Sequence, residues 1–195
     1  MKNVREPTYS FVILTLALII IDTLLARLSV VAFPTGTGGV SWLYFAVAFM
    51  IIFTLWFGAY GAIAAYVGTL IGSGLLGSLG NHPDVALYWS LAGLLQVLIP
   101  LVAFRAFDID VNLGTRRDLT YLLIFGIIIN NFVGAAWGTA TLALGGVITA
   151  GDFGGIFLVW FLSNVIITLV LVPTILRIVT PKIRKSKMFV KYYWD

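Results

Sequence analysis

The sequence predicts an all-α protein that crosses a membrane six times, and three observations predict it. Only 10% of its residues are charged and 61% are hydrophobic, whereas a soluble domain carries about 25% charged residues. Six apolar stretches approach the roughly 20 residues that a bilayer-spanning helix needs. Threading those stretches back and forth leaves every Lys and Arg except Arg27 on one side. A single integral membrane domain is expected over 1–195.

The first span is placed at 9–28. No small-residue cleavage site follows it, so it reads as a mature helix rather than a signal peptide. The second and third, 41–57 and 59–78, are separated only by FGAYG (Phe57 to Gly61) and form a tight helical hairpin. The fourth, 86–104, contains Pro100. The fifth, 119–145, is long enough to tilt, or to unwind near Gly145 and Gly146. The sixth, 155–178, contains Pro173, and each proline removes a backbone donor from its helix. A basic tail, 179–195, follows. Lys and Arg mark the cytoplasmic side of a membrane, so a multi-pass protein of the cell membrane with both termini cytoplasmic is expected. The outer loops are then 27–41, 77–84 and 145–155, all rich in glycine.

Composition also excludes chemistry. There is no Cys, hence no disulfide and no thiol catalysis. The net charge of +4 sits at span ends, where topology explains it, so no nucleic-acid partner is expected. No Gly-Lys-Ser/Thr phosphate cradle occurs, so the chain does not hydrolyse ATP. His82 is the one histidine and has no carboxylates at a recognisable spacing. Asp108 to Asp110 reads as a solvated turn. The protein is expected to be no enzyme, with neither metal nor cofactor.

Lipid removes the hydrophobic drive between helices, and close packing of small residues replaces it. Ala64, Gly68 and Gly72 repeat at four-residue spacing, and Gly61 opens the neighbouring row. Gly134 and Gly138 continue a row that begins at Gly126 and includes Asn130. These residues are the expected packing faces.

Polar groups at membrane depth face protein, water or substrate. Asp22 lies in the outer third of the first span, placed to meet Arg27 or a substrate cation. Trp89, Gly93, Gln96 and Pro100 fall on one helical face, as do Trp160, Asn164 and Thr168. Asn131 aligns with Ala135 and Thr139, and Trp137 lies nearby. Three spans thus each offer an amide at mid-depth and an aromatic ring nearer the outside. Together these describe a cup opening outward, with Gln96, Asn131 and Asn164 at its floor. Trp89, Trp137, Trp160 and Thr139 form the wall, with Asp22 close by. Such a cup suits a small planar polar solute. The competing explanation is that buried amides join helices and that Trp gathers at membrane interfaces. Of the adjacent pair, Asn130 is expected to bond a packed neighbour and Asn131 to face the cup.

FPTGTGGVSW (33–42) and LWFGAYGAIAAYVGTLIGSGLLG (55–77) resemble the substrate-capture (S) component of energy-coupling factor transporters. In that family a Pro- and Gly-containing loop after the first helix lids the pocket, and an FG-x-x-G hinge leads into a small-residue third helix. The resemblance implies a lid built from Phe33, Pro34, Gly36, Gly38 and Gly39. It also implies uptake of a vitamin-like or metabolite substrate, driven by a coupling membrane subunit and two ATPase subunits. A rival resemblance runs through RRDLTYLLIFG (116–126), GAAWGT (134–139) and VWFLSNVIITLVLVPTIL (159–176). These are similar to the last helices of a bacterial membrane-associated sensor domain, which implies a stand-alone sensor. A structural subunit of a membrane complex is the third alternative.

Overall fold

The computed structural model describes residues 9–37 and 40–190. Among them the structure is helical, with one isolated bridge between Pro34 and Ser41. The helices are α1 (Tyr9–Ala32), α2 (Ala46–Phe57), α3 (Ala59–Leu75), α4 (Pro83–Ala106), α5 (Arg116–Leu144) and α6 (Ala150–Ile183). Helices α1, α4, α5 and α6 are long and apolar enough to cross a membrane; α2 and α3 are shorter.

α1 runs four residues past the expected 28. Its buried residues, Leu18, Asp22, Ala26 and Ser29, form one narrow stripe, set by the 3.6-residue period. The rest of its surface is mostly apolar, with Ile13, Leu16, Ile20, Leu24 and Leu28 exposed, as suits contact with lipid. The stripe packs on α3. A Cβ at Gly68 would meet Asp22, and one at Gly72 would meet the Thr23 carbonyl. The two backbones approach this closely because glycine has no side chain.

α2 is the most enclosed helix, with all but two of its residues buried. It begins at Ala46 rather than near 41, because residues 41–45 are occupied in a loop described below. Gly58 turns the chain into α3 with φ +61° and ψ −131°, a conformation open to glycine and costly for other residues. The hairpin is tight: a Cβ at Gly61 would strike the backbone of Phe53 and Thr54. Ala64 is fully buried in the same core. The end of α3, Leu70–Leu75, widens to π pitch.

α4 consists of Pro83–Trp89 and Leu91–Ala106, which meet at Ser90. Pro83 starts it, where a missing N–H costs nothing. Thr115 and Asp118 start α5 with a reciprocal capping box. Its Leu122–Ile129 stretch has π pitch before the helix resumes as Asn130–Leu144. Gly145 ends the helix. α6 opens with one 3-10 turn, Ala150–Asp152, and continues as Phe153–Ile183 through Pro173 and Pro181.

Among the described residues, the basic ones other than Arg27 gather at one end of the bundle. There Arg105 donates to the Val190 carbonyl, Arg177 to that of Leu113, and Arg184 pairs with Asp110. Trp56 ties this end to α6 through Thr180, at 2.9 Å. The glycine-rich loops meet at the opposite end, around an open depression of about 720 Å³. Arg27 is held there by the Leu76 carbonyl.

Candidate functional site

α3, α4 and α6 enclose a small cavity below the glycine-loop end. α4 supplies Trp89, Gly93 and Gln96 from one face, and α6 supplies Trp160 and Asn164. Thr69 of α3 and Tyr44 complete the sides, and Val40 and Ser41 close the top. The indoles of Trp89 and Trp160 lie 5.4 Å apart, tilted by 47°. The remaining space is about 10 Å³, room for about one water molecule. No charged side chain lines it.

The segment above the cavity is folded on itself. Ser41 is its anchor: its hydroxyl donates to the carbonyls of Ser29 (2.8 Å) and Phe33 (3.0 Å). The Trp42 N–H bonds the Phe33 carbonyl at 2.9 Å, and the Phe45 N–H bonds the Ser29 hydroxyl at 3.1 Å. Phe33 and Phe45 meet edge to face at 5.8 Å. Phe33, Pro34 and exposed Gly36 thus form the outer arm of a flap whose inner arm, Val40 and Ser41, touches the cavity. Gly38 and Gly39 lie outside the described residues.

Behind the cavity is a line of amides. Gln96 donates to the Asn131 side-chain carbonyl at 2.8 Å. Asn131 donates in turn to the Thr168 hydroxyl (2.9 Å) and to the Ile127 carbonyl (2.8 Å). Thr168 donates to the Asn164 backbone carbonyl at 2.7 Å. Asn131 uses both donors and its acceptor, so it joins α4, α5 and α6 one layer behind the wall. Asn130 bonds the Gln96 backbone carbonyl at 3.3 Å. α5 lies between α4 and α6, so adjacent residues about 100° apart each find a neighbour. Asn130 thus bonds a packed neighbour, while Asn131 joins three helices instead of facing the cavity.

Asn164 stands apart from that line. It is 0% exposed, and neither its side-chain oxygen nor its nitrogen has a hydrogen-bond partner among the described residues. The Trp89 Nε1–H is equally unpaired. These three orphan polar atoms belong to residues of one wall.

The structure brings Trp89, Gln96, Trp160 and Asn164 together and leaves other expected residues elsewhere. Trp137 is 41% exposed and donates to the Tyr88 carbonyl at 2.8 Å. It lines a separate outward groove of about 390 Å³ with Asp84, Tyr88 and Thr141. Thr139 is buried with its hydroxyl unpaired, but off the cavity wall. Asp22 is buried against Gly68 with both carboxylate oxygens unpaired among the described residues; it does not meet Arg27. A Cβ at Gly134 would strike Gln96, and one at Gly138 would strike Trp160.

Sequence reasoning missed Tyr44, Thr69, Val40 and Ser41. Thr69 had a signal, since it sits on the row of small residues from Gly61 through Ala65 to Ser73. Tyr44, whose hydroxyl pairs with Ser73 at 3.0 Å, had none. Among the described residues no cluster of His, Asp or Glu converges to hold a metal. No protein family, curated protein or solved structure matches this chain.

Proposed function

We propose that the protein is a membrane solute-binding subunit. It captures a small vitamin-like or metabolite molecule from outside, and separate coupling and ATPase subunits drive its uptake. The observation that carries the reading is Asn164, a fully buried amide with no partner beside a pair of indoles in a lidded cavity. Leaving such groups unmade costs about 1–3 kcal/mol each. A bound solute that completes them recovers that cost.

In this reading all six helices cross the cell membrane, the two short ones helped by their flanking residues. Both termini are cytoplasmic, in keeping with basic residues gathered at one end. The flap of residues 33–37 and 40–45 is the gate, and the closed cavity is the resting or locked state. The solute enters when Val40 and Ser41 lift away. Gln96, held by Asn131, and Asn164 orient its polar edge, while Trp89 and Trp160 cover its faces. The chain does no covalent chemistry. Transport partners follow from the family resemblance and would engage the bundle within the membrane.

The test is to purify the protein from its native membrane in mild detergent and identify co-purifying small molecules by mass spectrometry. A stoichiometric compound that is lost in Asn164→Leu supports capture. An empty protein whose melting temperature ignores a broad metabolite panel sinks it.

A further inference from the structure

The chemistry of the cavity wall narrows the solute, on the premise that the capture reading holds. The wall has hydroxyls, amides and indoles and no ionised group. Asp22, the buried carboxylate of α1, packs against Gly68 and lies off the wall. An anion in this space would be stripped of water with no opposite charge beside it, which is strongly unfavourable, and a cation would find only Asp22, set back behind Tyr44 and Gly68. A neutral guest carries no such penalty.

Asn164 defines the guest's edge. A primary amide presents one acceptor and two donors side by side. Both its oxygen and its nitrogen are unpaired here. Joining helices is not the work of this side chain, because the bonds from α5 to α6 run through Asn131 and Thr168. On α6 itself, the Thr168 hydroxyl goes to the backbone carbonyls of Asn164 and Val165, not to the Asn164 side chain. The Trp89 Nε1–H adds one donor that needs an acceptor.

We propose that Asn164 reads a neutral, planar heterocycle through an edge on which an N–H donor lies beside a C=O acceptor. Lactams, cyclic imides and ring carboxamides share that edge. Two bonds in parallel to Asn164 satisfy its oxygen and one N–H together, and a second acceptor on the ring takes the Trp89 N–H. The indoles of Trp89 and Trp160 supply flat apolar cover for the faces of the ring. The space closed under Val40 and Ser41 holds about one water, so the ring enters with the flap raised.

The experiment measures binding by equilibrium dialysis of the full chain in detergent. The neutral probes are nicotinamide and uracil. Their controls are nicotinate and 1-methylnicotinamide, which carry charge, and 1,3-dimethyluracil, which lacks the donors. At least one neutral probe is expected to bind, with its control at least tenfold weaker. Asn164→Leu is expected to lose at least tenfold in affinity while the ligand-free protein melts higher, because two orphan atoms are gone. Should that variant fail to fold, Trp89→Phe keeps a ring and removes only the N–H, and it is expected to lose affinity severalfold.

A control that binds as tightly as its neutral partner overturns the proposal. So does unchanged affinity in Asn164→Leu or in Trp89→Phe. If a charged compound co-purifies and binds, the solute class is wrong and capture stands. If nothing co-purifies and no probe, neutral or charged, binds, capture itself falls and takes this proposal with it.

Discussion

The side chain of Gln96 on α4 donates to the side chain of Asn131 on α5 at 2.8 Å, in a fully buried layer. That bond fixes the Gln96 amide at the cavity from behind. Removing either partner alone strands the other, so Gln96→Leu and Asn131→Leu should each destabilise the bundle by about 1–2 kcal/mol. A double-mutant cycle read by thermal unfolding in detergent should give a favourable coupling of about 1 kcal/mol. Strict additivity would show that the bond contributes nothing.

Gly72 lies where a Cβ would collide with the Thr23 carbonyl and the Ala26 side chain. Gly72→Val should separate α1 from α3 and cost about 1–3 kcal/mol through overpacking. The melting temperature should fall and protease access to α1 should rise. A variant as stable as the parent would mean that α1 packs elsewhere.

Gly58→Ala tests the hairpin. Its φ of +61° with ψ of −131° falls where a Cβ is strained, at a cost of about 1–3 kcal/mol. The added methyl would also press on Val190, at 3.2 Å. Chemical unfolding should report the loss, and Ala59→Gly next door should not reproduce it.

Asp22 has two carboxylate oxygens buried without partners among the described residues. Asp22→Asn keeps the shape and removes the ionisable group, so it should raise stability by about 1 kcal/mol or more. A lower melting temperature would reveal a partner for the carboxylate in the working protein.

Ser163 reaches the Ser41 carbonyl at 3.5 Å, which joins the flap to α6. The chain has no Cys, so Ser41→Cys with Ser163→Cys gives a clean pair for oxidation. The oxidised form should exchange solute at least tenfold more slowly than the reduced form. Equal exchange would mean that solute does not pass under this flap.

Much of the fold was legible because apolar length and 3.6-residue periodicity are properties of the chain itself. Trp89 and Gln96, or Trp160 and Asn164, could be set on one face by counting, and the distribution of Lys and Arg set their relative depth. What escaped depended on partners far along the chain. Residues 41–45 read as helix until Ser41 is seen bonded to Ser29, twelve positions earlier. Trp137 sits seven residues beyond Asn130, on the side turned to α4. The break at Ser90 in α4 lets its indole meet the Tyr88 carbonyl instead of the cavity. Which of two adjacent asparagines joins three helices depends on helix placement, and no local pattern encodes that.

The stretch Leu122–Ile129 takes wider turns than an α-helix, and Asn130 and Asn131 follow it directly. A π turn holds one residue more than an α turn. Were one such turn to regain α pitch, everything after it would rotate by about 100° and shift by about 1.5 Å along the axis. That single adjustment would carry Asn131 away from Gln96 and bring a different side chain to face α4. The widened turns therefore set the register that places Asn131 against Gln96, one residue out of step with a continuous α-helix.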